Sequence, residues 1–98
     1  MAEPVVLINV FEVPAADADG FVAAWEKARD YLRSQPGYID TVLHQAIAAQ
    51  SEFQFVNVAH WRTAEDFIVA AQSPGFRESA AGVAGYRSHP GLYRSVRT

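Results

Sequence analysis

The stretch Phe53-Gln54-Phe55-Val56-Asn57-Val58-Ala59-His60-Trp61 constrains this chain more than any other. Side chains alternate across a strand, so Phe53, Phe55, Asn57, Ala59 and Trp61 share one face, and Gln54, Val56, Val58 and His60 share the other. An amide among aromatic and small residues on one strand face demands a partner, because burying a polar group without a hydrogen bond is costly. That partner is either another part of the protein or a ligand.

The rest of the composition sets the class. Ninety-eight residues fit one small domain, spanning 1–98, with a single core. Half the residues are hydrophobic and 19% are charged, a globular balance that excludes a disordered chain. A net charge of -3 argues against nucleic acid as a partner, and the arginines of the C-terminal third are scattered rather than clustered. Without cysteine there is no disulfide, thiolate chemistry or zinc–thiolate site. No apolar run approaches a membrane span and Met-Ala-Glu-Pro lacks a basic leader, so the expected location is the cytoplasm.

Taken in order, Val5 to Val13 is β-branched and aromatic on both faces, the pattern of a central strand. Asn9 interrupts it on the face of Val5, Leu7, Phe11 and Val13. After Pro14, Asp17 or Asp19 is placed to cap a helix whose stripe is Phe21, Trp25, Ala28 and Leu32, with Glu26, Lys27, Arg29, Asp30 and Arg33 mainly on its other sides. Gln35-Pro36-Gly37 stops it. A second strand from about Tyr38 to Ile47 turns through Ala48-Ala49-Gln50-Ser51 into the third. Thr63 caps a second helix with Glu65 and Asp66 in its first turn and Phe67, Ile68 and Ala71 on its apolar side. Ser73-Pro74-Gly75 breaks it, Phe76 to Ala81 adds a helical turn or two, Gly82, Gly85 and Pro90 mark loop, and Leu92 to Val96 is a last short strand.

The order β-α-β-β-α-β is the ferredoxin-like unit: an α+β fold with a four-stranded antiparallel sheet and two helices on one face. The uncovered face would carry Val6, Ile8, Val10, Val56 and Val58. An apolar patch of that kind on a small protein calls for a partner, and the expected one is a second copy packed sheet to sheet.

The other face holds the candidate site. At about 3.3 Å per residue, Asn57 and Trp61 stand roughly 13 Å apart, the length of a two- or three-ring aromatic. A pocket there would offer an amide, an indole N–H and a lining of Phe53, Phe55 and Phe11. Such donors suit the anionic oxygen of an ionised phenol or enol without a metal. Equally, Trp61 could be core and Asn57 could bond a neighbouring backbone group. Asn9 faces the same space, where two amides could bind a ligand or each other. His60 looks to the opposite face as an interface histidine, and His44 and His89 have no second ligand at metal-like spacing. Arg77 could pair an anionic substrate, Glu78 or a surface acid. Tyr38, Tyr86 and Tyr93 read as strand-edge and loop packing.

Phe55-Val56-Asn57-Val58-Ala59-His60-Trp61-Arg62-Thr63-Ala64-Glu65-Asp66-Phe67, followed by Ser73-Pro74-Gly75-Phe76-Arg77, resembles the antibiotic biosynthesis monooxygenase (ABM) family of dimeric α+β barrels, and the likeness extends over nearly the whole chain. The resemblance implies a homodimer and a small aromatic ligand. In the family's cofactor-free, quinone-forming branch, an asparagine and a tryptophan four residues apart hold the substrate, and Asn57 and Trp61 match them. Arg77 is the counterpart of an arginine in that site, and Phe67 stands where that branch has a tyrosine. In the haem-degrading branch, Asn9 and Trp61 match two motif positions, but Ala80 occupies the place of the axial histidine. The resemblance thus implies a monooxygenase without a cofactor, with a haem-binding relative or a non-enzymatic ligand-binding barrel as alternatives.

Overall fold

The computed structural model describes residues 3–98. Met1 and Ala2, the start of the segment read above for a leader, lie outside the described residues. The elements are β1 (Val5–Glu12), a 3-10 turn (Ala15–Asp17), α1 (Ala18–Leu32), β2 (Tyr38–Gln45), β3 (Phe55–Trp61), α2 (Ala64–Ala71), α3 (Pro74–Ser79) and β4 (Arg87–Tyr93). The sheet order β2-β3-β1-β4 is antiparallel throughout, the ferredoxin-like arrangement expected from the sequence.

Register decides what each face carries. Val5 pairs with Trp61, Asn9 with Asn57 and Phe11 with Phe55 across β1 and β3. Burial alternates without a fault along β3, with Phe55, Asn57, Ala59 and Trp61 buried and Val56, Val58 and His60 only half so. Two apolar clusters occupy the inner face. Phe11, Val13, Phe21, Trp25 and Phe55 form one, and Leu7, Ala59, Trp61 and Ala70 the other. Trp61, Phe21 and Phe55 are the largest fully buried side chains, each stabilising the fold by about 1.5–3 kcal/mol through lost contact with water.

The helices follow their local chemistry with three departures from the sequence reading. Asp17 occupies the N-cap of α1 but makes no capping bond, because its carboxylate accepts instead from the Tyr86 hydroxyl at 3.2 Å. In α2, Thr63 caps as expected by accepting from Asp66 N at 3.0 Å. Its inward side, however, is Phe67, Ala70 and Ala71, while Ile68 is 43% exposed. Ser73-Pro74 does more than end α2. Ser73 is the N-cap of α3 and Pro74 opens it, where a missing N–H costs nothing.

Strand β4 is the largest correction. It runs from Arg87 to Tyr93, so Pro90 is inside it and Val96 beyond it. His-Pro-Gly reads as loop, but β4 lies at the sheet edge, where proline withdraws a donor no neighbour needs. The stop after α1 does hold: Gly37 adopts φ 88, open to glycine without strain, and its carbonyl accepts from Arg62 N at 2.7 Å. The turn is thereby fastened to the end of β3. Phe53 precedes β3 rather than joining its face, and its ring meets the edge of His89 at 5.6 Å.

One hydroxyl binds the helical layer together. Ser73 Oγ donates to Ala70 O at 2.7 Å and accepts from Phe76 N at 3.2 Å and from the Tyr31 hydroxyl at 2.7 Å. This fills the donor and both lone pairs of the group. Ser73→Ala should cost about 1–3 kcal/mol in urea unfolding, since it removes a cap and strands half-buried partners. Tyr31→Phe should cost less.

Candidate active site

Asparagine placed where the two apolar clusters meet leaves a gap in the core. Along β1 the inner face reads Leu7, Asn9, Phe11, and along β3 it reads Phe55, Asn57, Ala59, Trp61. The amides face each other across the ladder, with large side chains on either side but none between. The result is a cavity of about 400 Å³, within the range of small-molecule sites.

Its floor is Leu7, Asn9, Thr41, Asn57, Ala59 and Trp61. From α1 come Trp25, Ala28, Arg29 and Leu32, one turn apart on a single edge of the helix. Phe67, Phe76 and Ala80 close it from the second half of the chain, and Tyr86 and Pro90 line the β4 end. Among the described residues Arg29 is the sole charged side chain in the lining, and no carboxylate or imidazole reaches it. The interior is therefore apolar, with a few fixed donors.

Asn57 is 8% exposed. Its carbonyl oxygen accepts from the Thr41 hydroxyl at 2.6 Å, which orients the amide and leaves its N–H groups for the cavity. The two asparagines do not bond each other. Asn9 Oδ1 accepts from His89 N at 3.1 Å, so both amides are anchored through oxygen. Trp61 is held edge-on by Tyr38 at 5.6 Å and by Phe67 at 5.5 Å. Among the described residues, neither its indole N–H nor the Asn57 amide nitrogen has a protein partner. Both residues line the cavity, so two donors there remain without a protein acceptor.

Asn9, Phe11, Asn57, Trp61 and Phe67 come together around this space. Phe55 does not. It stacks on Phe21 at 4.7 Å behind the cavity wall, filling the core instead. Arg77 is exposed on α3 and does not line the cavity. The sequence reading overlooked Arg29, Thr41, Tyr38 and Tyr86. Arg29 was assigned to the solvent sides of its helix, yet it follows Trp25 by four residues and precedes Leu32 by three, which puts it on the edge of the same stripe.

Tyr38 is half-buried beside Trp61, and its phenol is raised above the ordinary 10.0, first by loss of water and then by Asp40, with the Arg33 and Arg29 charges pulling the other way. Tyr86 is raised as well, by loss of water and then by its bond to Asp17. The three histidines lie elsewhere. His60 and His89 are on the outer face, paired with Asp40 at 2.6 Å and Glu12 at 2.8 Å, and His44 is exposed beside Val56. Ala80, which the resemblance set against a haem-ligating histidine, lines the cavity with a methyl group. Among the described residues the cavity thus offers haem no histidine.

An antiparallel ferredoxin-like sheet under helices, with a largely apolar pocket between the layers, defines a small α+β domain of the ferredoxin-like class. The model of the antibiotic biosynthesis monooxygenase family matches residues 4–82. The chain belongs to that family. Among solved structures, a candidate monooxygenase from Shewanella loihica PV-4 is 43% identical, with 100% of this chain and 99% of that one covered and a TM-score of 0.86. SnoaB, a cofactor-independent oxygenase from Streptomyces nogalater, is 23% identical over 99% of this chain and 97% of its own, at a TM-score of 0.81. An asparagine-to-alanine variant of SnoaB aligns at 26% identity and a TM-score of 0.84, with the same shares covered. No curated protein matches the chain.

The phenol beside Trp61 gives a direct check on the site's solvation. Burial favours its neutral form in the folded chain, so folded protein holds that proton to higher pH than unfolded protein, and the associated stability is lost as pH rises past 10.0. Titration of tyrosinate ultraviolet absorbance should show that Tyr38→Phe removes a transition above the ordinary midpoint. Loss of a transition at or below it would contradict the placement.

Proposed function

We propose that this chain is a cofactor-independent monooxygenase acting on an electron-rich aromatic, a phenol or anthrone of two or three rings. The observation that carries this reading is the pair of donors without a protein partner, Asn57 Nδ2 and Trp61 Nε1, in a largely apolar cavity of matching size. Membership in a monooxygenase family and the likeness to an oxygenase named as cofactor-independent support it.

In this scheme the substrate supplies the electrons. An ionised phenol or enol is the species that reacts with dioxygen, and it carries its charge on oxygen. An Asn57 N–H directed at that oxygen stabilises the anion with no reorganisation during the reaction, the Trp61 N–H serves the far end of the ligand, and an apolar surround strengthens both. Thr41 is a positioning residue that keeps the Asn57 nitrogen aimed inward. For an anthrone, one oxygen atom becomes the new carbonyl, the other leaves as water, and the two hydrogens of the ring methylene complete that water. Trp25, Phe67 and Phe76 hold the rings and exclude solvent.

Oxygen uptake on anthrone- and naphthol-type substrates tests the proposal. Asn57→Ala should lower turnover by about 100-fold, on the scale of losing one oxyanion donor, and Trp61→Phe should also lower it. If both variants turn over at the wild-type rate on a substrate the wild type oxidises, the assignment fails.

The same reading includes a homodimer. Val6, Ile8, Val10, Val56 and Val58 lie side by side on the outer face, with Val42 53% and Tyr93 55% exposed beside them. Two such faces packed together would remove the patch from water. Val58→Asp should convert the dimer to a monomer in analytical ultracentrifugation. A wild-type chain that sediments as a monomer at high concentration would overturn the assembly.

A further inference from the structure

We infer that Arg29 selects substrates bearing a carboxylate, held against the α1 wall of the cavity while Asn57 takes the reacting oxygen at the sheet floor. The inference rests on the oxygenase reading for the reacting end, but its argument is independent. Arg29 is the one charged group in the lining among the described residues, so an anionic ligand entering there meets a cation, with the acids that pair it outside the lining.

The geometry fixes where that cation stands. Its guanidinium lies over the Trp25 ring, 5.5 Å from the centroid, an arrangement that holds the planar group at the cavity wall. Its charge also reaches the Tyr38 phenol, and Tyr38 packs on Trp61. Arg29 therefore stands on the α1 wall of the cavity, above the sheet floor that carries Asn57 and Trp61.

The present partners of Arg29 leave it available. Nε and one terminal nitrogen meet a single oxygen of Asp30, at 3.2 and 3.0 Å, and Glu26 stands at 3.8 Å. Both acids are more than half exposed, and contacts of that kind contribute little. The other terminal nitrogen has no partner among the described residues. A carboxylate that displaces the exposed Asp30 presents two oxygens to the guanidinium fork, a match that a lone phenol oxygen cannot make.

Calorimetric titration under anaerobic conditions with 6-hydroxy-2-naphthoate and with 2-naphthol tests this. The two probes share the ring system and hydroxyl and differ by the carboxylate. Wild-type protein should bind the acid more tightly, and raised salt should narrow the difference. Arg29→Gln should weaken the acid by on the order of 10- to 100-fold, leave 2-naphthol nearly unchanged, and keep the wild-type circular dichroism. Arg29→Lys should recover part of the loss. Equal weakening of both probes, an undiminished preference in Arg29→Gln, or failure of the wild type to bind the acid would overturn the inference. Persistent selectivity in a protein that consumes no oxygen would retain it and remove the oxygenase reading instead.

Discussion

The register of β1 against β3 is the constraint on which the rest of this structure depends. It sets Asn9 opposite Asn57, and so places a polar break in both central strands at one level of the inner face. A slip of one residue would send the amides outward and the valines inward. The two apolar clusters hold the register by filling the face on both sides of that break. Stability and function thus draw on the same ladder: the core is secured at its two ends, and its middle remains open.

An open middle has a cost, and the structure shows how it is contained. Each asparagine oxygen has a protein donor, Thr41 for one and the His89 backbone for the other. The nitrogen side of Asn57 faces the cavity with the Trp61 indole, and no fully buried side-chain nitrogen or oxygen among the described residues lacks a partner. An amide fixed through its oxygen presents its donors at a set position, the preorganisation that stabilisation of an oxyanion requires. Ser73 does a comparable service overhead by joining the ends of α1, α2 and α3 over the cavity.

Much of this could be read from the sequence because the signals were local. Alternation along Phe55 to Trp61, the stop at Pro36-Gly37 and the Thr63 cap each depend on residues within a few positions of one another. The parts that escaped depend on tertiary context. His-Pro-Gly reads as loop until β4 is known to be an edge strand. Phe55 shares a face with Asn57, but the packing of Phe21 against it decides whether it is wall or core. Resemblance points to Arg77 as a site residue, yet on α3 it is exposed, whereas Arg29, whose charge reads as solvent-facing, lines the cavity.

The central claim is that the gap between the clusters is a site for an aromatic oxyanion. A crystal structure with a hydroxylated naphthalene or anthrone bound in the absence of oxygen tests this most directly. The account predicts the ring between α1 and the sheet, its hydroxyl oxygen within hydrogen-bond reach of Asn57 Nδ2. A ligand seated on the outer face, or in the cavity with its hydroxyl turned away from Asn57 and Trp61, would contradict it.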